Sequence, residues 1–152
     1  MTIFVSKYKA DTKALDKLVE RVALLKRTQL GVGFFDGDIH EPSGETAAYI
    51  AAINNEGSPS DNIPPRPFLT EALSMSFKGK AALRPIKDIL NYKIPLKKTL
   101  SLIGEQAVVM VKWNIENGAW VDNARKTIEI KGFNNPLVHT STLPSLAKYK
   151  IF

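Results

Sequence analysis

The residues in this sequence that could carry out chemistry are few and widely spaced. The 152-residue chain has two histidines, His40 and His139, and no cysteine. His40 stands near Asp38 and Glu41, and histidine beside carboxylates can bind a metal or transfer protons. No histidine pair at ligand spacing and no Gly-x-Ser-x-Gly sequence supports such a site. The sequence therefore predicts no catalytic residue, no metal and no cofactor, with a small hydrolase of unrecognised site as an alternative.

Two glycine-containing stretches bear on nucleotide binding. Gly31-x-Gly33 followed by Gly37 does not form a dinucleotide-binding fingerprint, because a polar loop and not a helix follows it. Lys131-Gly132 is not a phosphate-binding loop either. Neither stretch predicts a nucleotide site.

The chain is basic, with a formal net charge of +6 and a pI near 9.5. Its lysines and arginines are scattered, and they form no arginine-rich stripe with interleaved aromatic residues. This pattern is typical of a solvated surface. A positive field still attracts polyanions without a specific site, so a nonspecific DNA-binding protein is a second alternative.

The elements that must position these residues can be read from apolar periodicity. Residues 12–27 carry an apolar stripe at helical spacing, with Asp11 as a plausible cap, and this helix should lie on a sheet. Alternation predicts strands at Ile3–Val5, at 30–36 and at 147–152, with an exposed loop over 36–44. These features predict an α+β fold in which a small antiparallel sheet packs against long helices, as one domain over residues 1–152.

The second half of the chain is mainly helical in pattern. Residues 74–93 read as helix with Leu83, Ile86, Ile89 and Leu90 facing inward, although Gly79 and Pro85 should interrupt it. A helix over 96–117 follows Pro95, and more than half of its circumference is apolar. Such a helix is either central or covered by another subunit. Residues 120–131 are ambiguous, because 127–131 alternate like a strand.

The segment from Ala47 to Leu73 is the most informative part of the sequence. An apolar helix should stop near Glu56, where Gly57 tolerates left-handed backbone. Three prolines then stiffen the chain and present Arg66 on a rigid mount, before Pro67 opens a helix with Phe68, Leu69, Ala72, Leu73 and Phe77 on its apolar face.

This segment resembles the neck and tail-completion proteins of long-tailed bacteriophages. The matching residues are Ile50-Ala51-Ala52-Ile53-Asn54-Asn55-Glu56-Gly57 and Ile63-Pro64-Pro65-Arg66-Pro67-Phe68-Leu69. Residues 131–146 resemble a second motif of that family, with His139 where an acidic residue is common and Ser141 where glycine is common. Residues 100–107 look like the family's long helix, and the resemblance favours a helical turn within 120–131.

The resemblance implies a structural virion protein, made in the host bacterial cytoplasm, that forms a ring at the head-proximal end of the tail. Its partners would be copies of itself, as a hexamer or dodecamer, and other neck, connector or tail-tube proteins, with nonspecific contact to passing genomic DNA left open. The sequence shows no signal peptide and no membrane span.

We expect the proline segment to form the interface in such a ring. Phe68 would insert into a neighbour as an apolar anchor and Arg66 would supply charged hydrogen bonds, since such residues dominate interface energies. The alternative is that Phe68 and Leu69 pack the chain's own core. The expected interface residues are Glu56, Ile63, Pro64, Pro65, Arg66, Pro67 and Phe68.

Overall fold

Helices make up most of the structure, and two short antiparallel pairs of strands accompany them. The computed structural model describes residues 12–78, 83–91, 94–138 and 142–152. The helices are α1 (Lys13–Arg27), α2 (Ala47–Glu56), α3 (Phe68–Ser76), α4 (Leu83–Leu90), α5 (Leu96–Asn117), α6 (Arg125–Lys131) and α7 (Thr142–Leu146). The strands are β1 (Leu30–Gly33), β2 (Ile39–His40), β3 (Glu45–Thr46) and β4 (Lys148–Ile151).

Strands β1 and β4 form the main sheet. They run antiparallel, with Leu30 opposite Ile151 and Gly33 opposite Lys148. This confirms the strands predicted around Leu30 and at the end of the sequence. The third predicted strand, Ile3–Val5, lies outside the described residues. Strands β2 and β3 form a separate antiparallel pair within and after the stretch predicted as a loop, where the alternating pattern is too short to be recognised.

Helix α5 is the centre of the fold, as its broad apolar surface indicates. It contacts α3 on one side and both strands of the main sheet on another. The most deeply buried side chains of this core include Val111 and Ile115 of α5 and Phe68 of α3. The architecture is therefore the predicted α+β arrangement of a small antiparallel sheet against helices.

Gly104 allows the sheet to approach α5 closely. A Cβ atom at this position would lie 2.5 Å from Cγ of Tyr149 in β4, so the aromatic ring occupies the space where a side chain would stand. Lys148 of the same strand donates to Asp38 Oδ1 at 2.6 Å, which ties β4 to the loop before β2.

Helix α1 has nearly the predicted bounds but not the predicted location. Asp11, the expected cap, lies outside the described residues, and Thr12 is the N-cap. No residue of α1 is buried, and its main contact is with α4. The expectation that α1 lies on the sheet is wrong, because α5 covers the sheet instead.

The helical stretch after α3 also differs from its prediction. Helix α3 ends at Ser76, and Gly79 lies outside the described residues. Pro85 lies in the first turn of α4, where its lack of a backbone N–H breaks no helical hydrogen bond. Ile89 is buried as expected, whereas Ile86 is exposed because α4 contacts α1 and α5 only along part of its surface. Among the described helices, none has a stretch long and apolar enough to cross a membrane.

Residues 125–131 form helix α6, which decides the ambiguity between strand and helix. The alternation of Ile128 and Ile130 does not report a buried sheet face, since Ile130 is largely exposed. Helix α6 ends at Gly132, whose φ of 79° is left-handed and whose N–H bonds to the carbonyl of Ile128.

Candidate subunit interface

The proline segment begins where α2 ends at Gly57. This glycine has φ 82° and ψ 165°, a conformation that is essentially restricted to glycine. A Cβ atom here would lie 2.9 Å from the nitrogen of Pro65 and 3.0 Å from the carbonyl oxygen of Ile63. Gly57 therefore permits both the turn and the close approach of the returning chain.

A small bridge closes the loop that follows. The backbone N–H of Ser58 donates to the carbonyl of Ile63, and the N–H of Ile63 donates back to Ser58, both at 2.9 Å. Asn62 takes the left-handed conformation between them, with φ 55°. The segment is thus held by hydrogen bonds as well as by its prolines.

Arg66 is buried, with only 5% of its surface exposed. Its backbone N–H donates to the carbonyl of Asn54 at 2.9 Å, and its guanidinium donates to the side-chain oxygen of Asn54 at 3.4 Å. Nε and Nη2 donate to the carbonyls of Val121 and Asp122, at 3.1 and 3.3 Å. Burial lowers the pKa of Arg66. This side chain joins the end of α2 to the loop before α6.

Two buried asparagines fix the start of α3. Asn55 Oδ1 accepts hydrogen bonds from the backbone N–H groups of Leu69 and Thr70, at 3.0 and 3.4 Å, so it caps α3 from the end of α2. Asn114 of α5 donates to the carbonyl of Phe68 at 2.8 Å. Asn55 satisfies N–H groups of the first turn of α3 that have no partner within the helix, and Asn114 ties the first carbonyl of α3 to α5.

Phe68 is completely buried within its own chain. Its ring lies edge-on to that of Phe34, with centroids 6.1 Å apart. Neither Phe68 nor Arg66 is accessible to a neighbouring subunit in this conformation, and the interface role predicted for these two side chains stays a prediction. The alternative, that Phe68 and Leu69 pack the chain's own core, describes their position here.

The other expected interface residues lie at the surface. Glu56 and Pro65 are exposed, and Ile63, Pro64 and Pro67 are partly buried. All five positions are at least partly accessible to a neighbouring subunit, and their role in an interface stays a prediction.

The two sequence motifs of the resemblance meet in the structure. Leu143 of α7 belongs to the same buried cluster as Phe68, and Leu137 and Val138 pack against that cluster. Burial, together with the positive charge of Arg66, lowers the pKa of Lys131. His139 and Ser141, where the sequence departs from the family pattern, lie outside the described residues.

A groove with a volume of about 540 Å³ lies between α3, α4 and α5. Its walls are mostly apolar, and Ala107 forms a buried part of them. The lining residues are Ser76, Phe77, Pro85, Ile103, Glu105, Gln106, Ala107, Val109 and Met110. Sequence reasoning placed the apolar flank of α5 but not this groove, which depends on how α3 and α4 are placed around it.

Large apolar side chains are exposed at and near this groove. Val109 is 63% exposed and Phe77 is 49% exposed. Leu102 and Trp113 of α5 are also exposed, two helical turns before Val109 and one turn after it. Contiguous exposed apolar surface of this kind is typical of interaction sites.

His40 lies in β2, where its Nδ1 is 2.9 Å from the hydroxyl of Ser43. Partial burial lowers the pKa of this imidazole. Within the described part of the chain, no three His, Cys, Asp or Glu side chains are grouped closely enough to hold a metal ion. His40 is held by a local turn, in which the N–H and the hydroxyl of Ser43 both donate to its carbonyl.

Comparison with protein families, with curated proteins and with solved structures gives no match for this chain.

Proposed function

We propose that this chain is a structural protein of a tailed-bacteriophage neck. It assembles as a ring at the head-proximal end of the tail, where it completes the tail and joins it to the capsid connector. The proposal takes its identity from the two motifs at residues 50–69 and 131–146, which resemble that family.

The exposed apolar surface is the structural observation that supports an assembly role. Helix α1 carries an apolar stripe with no buried residue, and α5 exposes Leu102, Val109 and Trp113 beside an open groove. A monomeric protein rarely leaves so much apolar surface in water, because covering it with a partner is favourable by roughly 25 cal/mol per Å². Subunits of a ring cover such surfaces with one another.

The role in the virion is tested by removing the gene and examining the particles that form. We expect filled heads and separate tails, and restoration of infectious particles when the gene is supplied in trans. Labelled antibody or electron microscopy of complete virions should then locate the protein at the head-tail junction. Complete, infectious particles without the protein would contradict the proposal.

A further inference from the structure

We infer that the groove between α3, α4 and α5 binds helix α1 of a second copy of this chain. The inference concerns self-association and rests on the proposed ring. It names the two surfaces through which neighbouring subunits of that ring would meet. It rests on the unburied stripe of α1, the shape of the groove and the charges on both.

The described residues cover the apolar face of helix α1 only in part, where Leu18 lies beside the end of α4. Val19 is 61% exposed, and Leu15, Leu18 and Val22 are exposed as well. These positions are spaced by three or four residues, so they form one continuous stripe. Recognition of a helix in a groove uses anchors at this spacing.

The groove needs a convex partner. Its walls come from three helices, with Phe77 and Pro85 facing Val109 and Met110. Two concave grooves facing each other would leave their floors empty, and empty apolar space forgoes the packing contacts that stabilise an interface. The side chains of an inserted helix stripe fill the volume that a second groove cannot.

The charges on the two surfaces are complementary. Glu105 is the only charged residue among those that line the groove in the described structure. Helix α1 carries five basic residues and two acidic ones. In the proposed contact the carboxylate of Glu105 would meet a helix with an excess of positive charge, whereas an acidic partner segment would bring like charges together.

The α1 of the same chain does not occupy the groove. Its residues Ala14, Lys17 and Leu18 lie beside Leu90 and Asn91, at the C-terminal end of α4, whereas the groove uses Pro85 near the N-terminal end of α4. The two surfaces therefore lie at different places on one molecule. A contact between different patches is head-to-tail, and it produces a closed ring when the rotation between subunits closes.

Single cysteines test the contact directly, because the chain has no cysteine of its own. Val19→Cys protein and Val109→Cys protein are mixed and treated with a short thiol-reactive crosslinker. We expect the mixed 19–109 product to form at least tenfold faster than either self-linked product. Val121→Cys provides the control, since Val121 is similarly exposed at 57% but lies outside both surfaces.

Charge substitutions give an independent measurement. Val19→Asp and Val109→Asp should each weaken self-association at least tenfold in sedimentation, while Val121→Asp leaves it unchanged. All three side chains are exposed, so thermal unfolding should differ little among the variants.

The inference is overturned if 109–109 or 19–19 products dominate, or if the mixed product forms no faster than with Val121→Cys. It is also overturned if the two Asp variants associate as the unmodified chain does. Failure here leaves the virion role intact when microscopy finds the protein in the neck. Conversely, if residues 19 and 109 crosslink but the protein is absent from virions, the inferred interface is supported and the proposed role in the neck is wrong.

Discussion

Arg66 shows how a residue that looks like an interface contact can be internal. Its guanidinium donates to two backbone carbonyls and one amide oxygen, which are neutral acceptors. These bonds need the planar, branched donor geometry of arginine, which lysine does not have. An arginine at position 66 is thus explained by hydrogen bonds that join the end of α2 to the loop before α6, as well as by its charge.

The burial of Phe68 leads to a prediction about stability. Replacing Phe68 with Ala should lower the free energy of unfolding by about 3–5 kcal/mol, because a fully buried aromatic side chain is removed and a cavity remains. Urea unfolding followed by circular dichroism measures this loss. Phe34 would then lose the ring that it contacts edge-on, whereas the bond from Asn114 to the backbone carbonyl of residue 68 does not depend on that ring.

Phe77→Ala is the matched control for this measurement. Phe77 is half exposed at the groove, so its removal should change the free energy of unfolding by less than about 1 kcal/mol. A Phe68→Ala protein that unfolds like the unmodified chain but no longer assembles would restore Phe68 as an interface residue.

At the scale of elements, helices bounded by local signals were predictable from sequence. Pro95 precedes α5, and Gly57 and Gly118 follow α2 and α5, so the ends of these helices are determined by nearby residues. The location of α1 and the burial of Phe68 were not predictable in this way. Both depend on which distant element covers them, and Asn114 is 46 residues from Phe68 in the sequence.

Residues 125–131 also show how far local sequence patterns can predict structure. The alternation of 127–131 predicts a strand as well as a helical turn, because a short apolar pattern fits both periods. The candidate groove had no local signal at all, since its residues come from three helices. Its only trace in the sequence was the excess of apolar residues around α5.

The contact between α5 and β4 gives a prediction at this scale. Gly104→Ala should destabilise the protein, although alanine favours helix over glycine by about 1 kcal/mol, because the new Cβ would lie 2.5 Å from Tyr149 Cγ. In a Tyr149→Ala background, the same substitution should become stabilising by about 1 kcal/mol. Urea unfolding of the four proteins forms the double-mutant cycle.

The deciding quantity is the change in the free energy of unfolding that Gly104→Ala causes in the Tyr149→Ala background. If Gly104→Ala is equally destabilising with and without the Tyr149 ring, the close approach of β4 to α5 is not what requires glycine. Stabilisation in the unmodified chain would show that β4 can move away at little cost.

At the scale of the whole molecule, the +6 charge and the exposed apolar surface predict opposite responses to salt. Self-association should persist between 50 and 500 mM salt, because burial of apolar surface is not weakened by screening. Retention on duplex DNA, which a basic protein can show, should be lost over the same range, since phosphate contacts are strongly salt-dependent.

Sedimentation measures self-association and a retention assay measures binding to duplex DNA, each at several salt concentrations. No self-association at any salt concentration, together with retention on duplex DNA that is lost as salt rises, would favour the nonspecific DNA-binding alternative over assembly. The Val109→Asp variant serves as the control, since it should lose association without changing DNA retention.

The pairing of β1 with β4 joins segments near opposite ends of the described chain. Closing so long a loop is entropically costly until the intervening residues are already compact. The contacts of α3 with α5 span a shorter stretch of chain, so this helical layer should form before the sheet does. Translation that stops before residue 148 would therefore yield a nascent polypeptide with the Gly104 side of α5 uncovered, a natural target for chaperones and proteases.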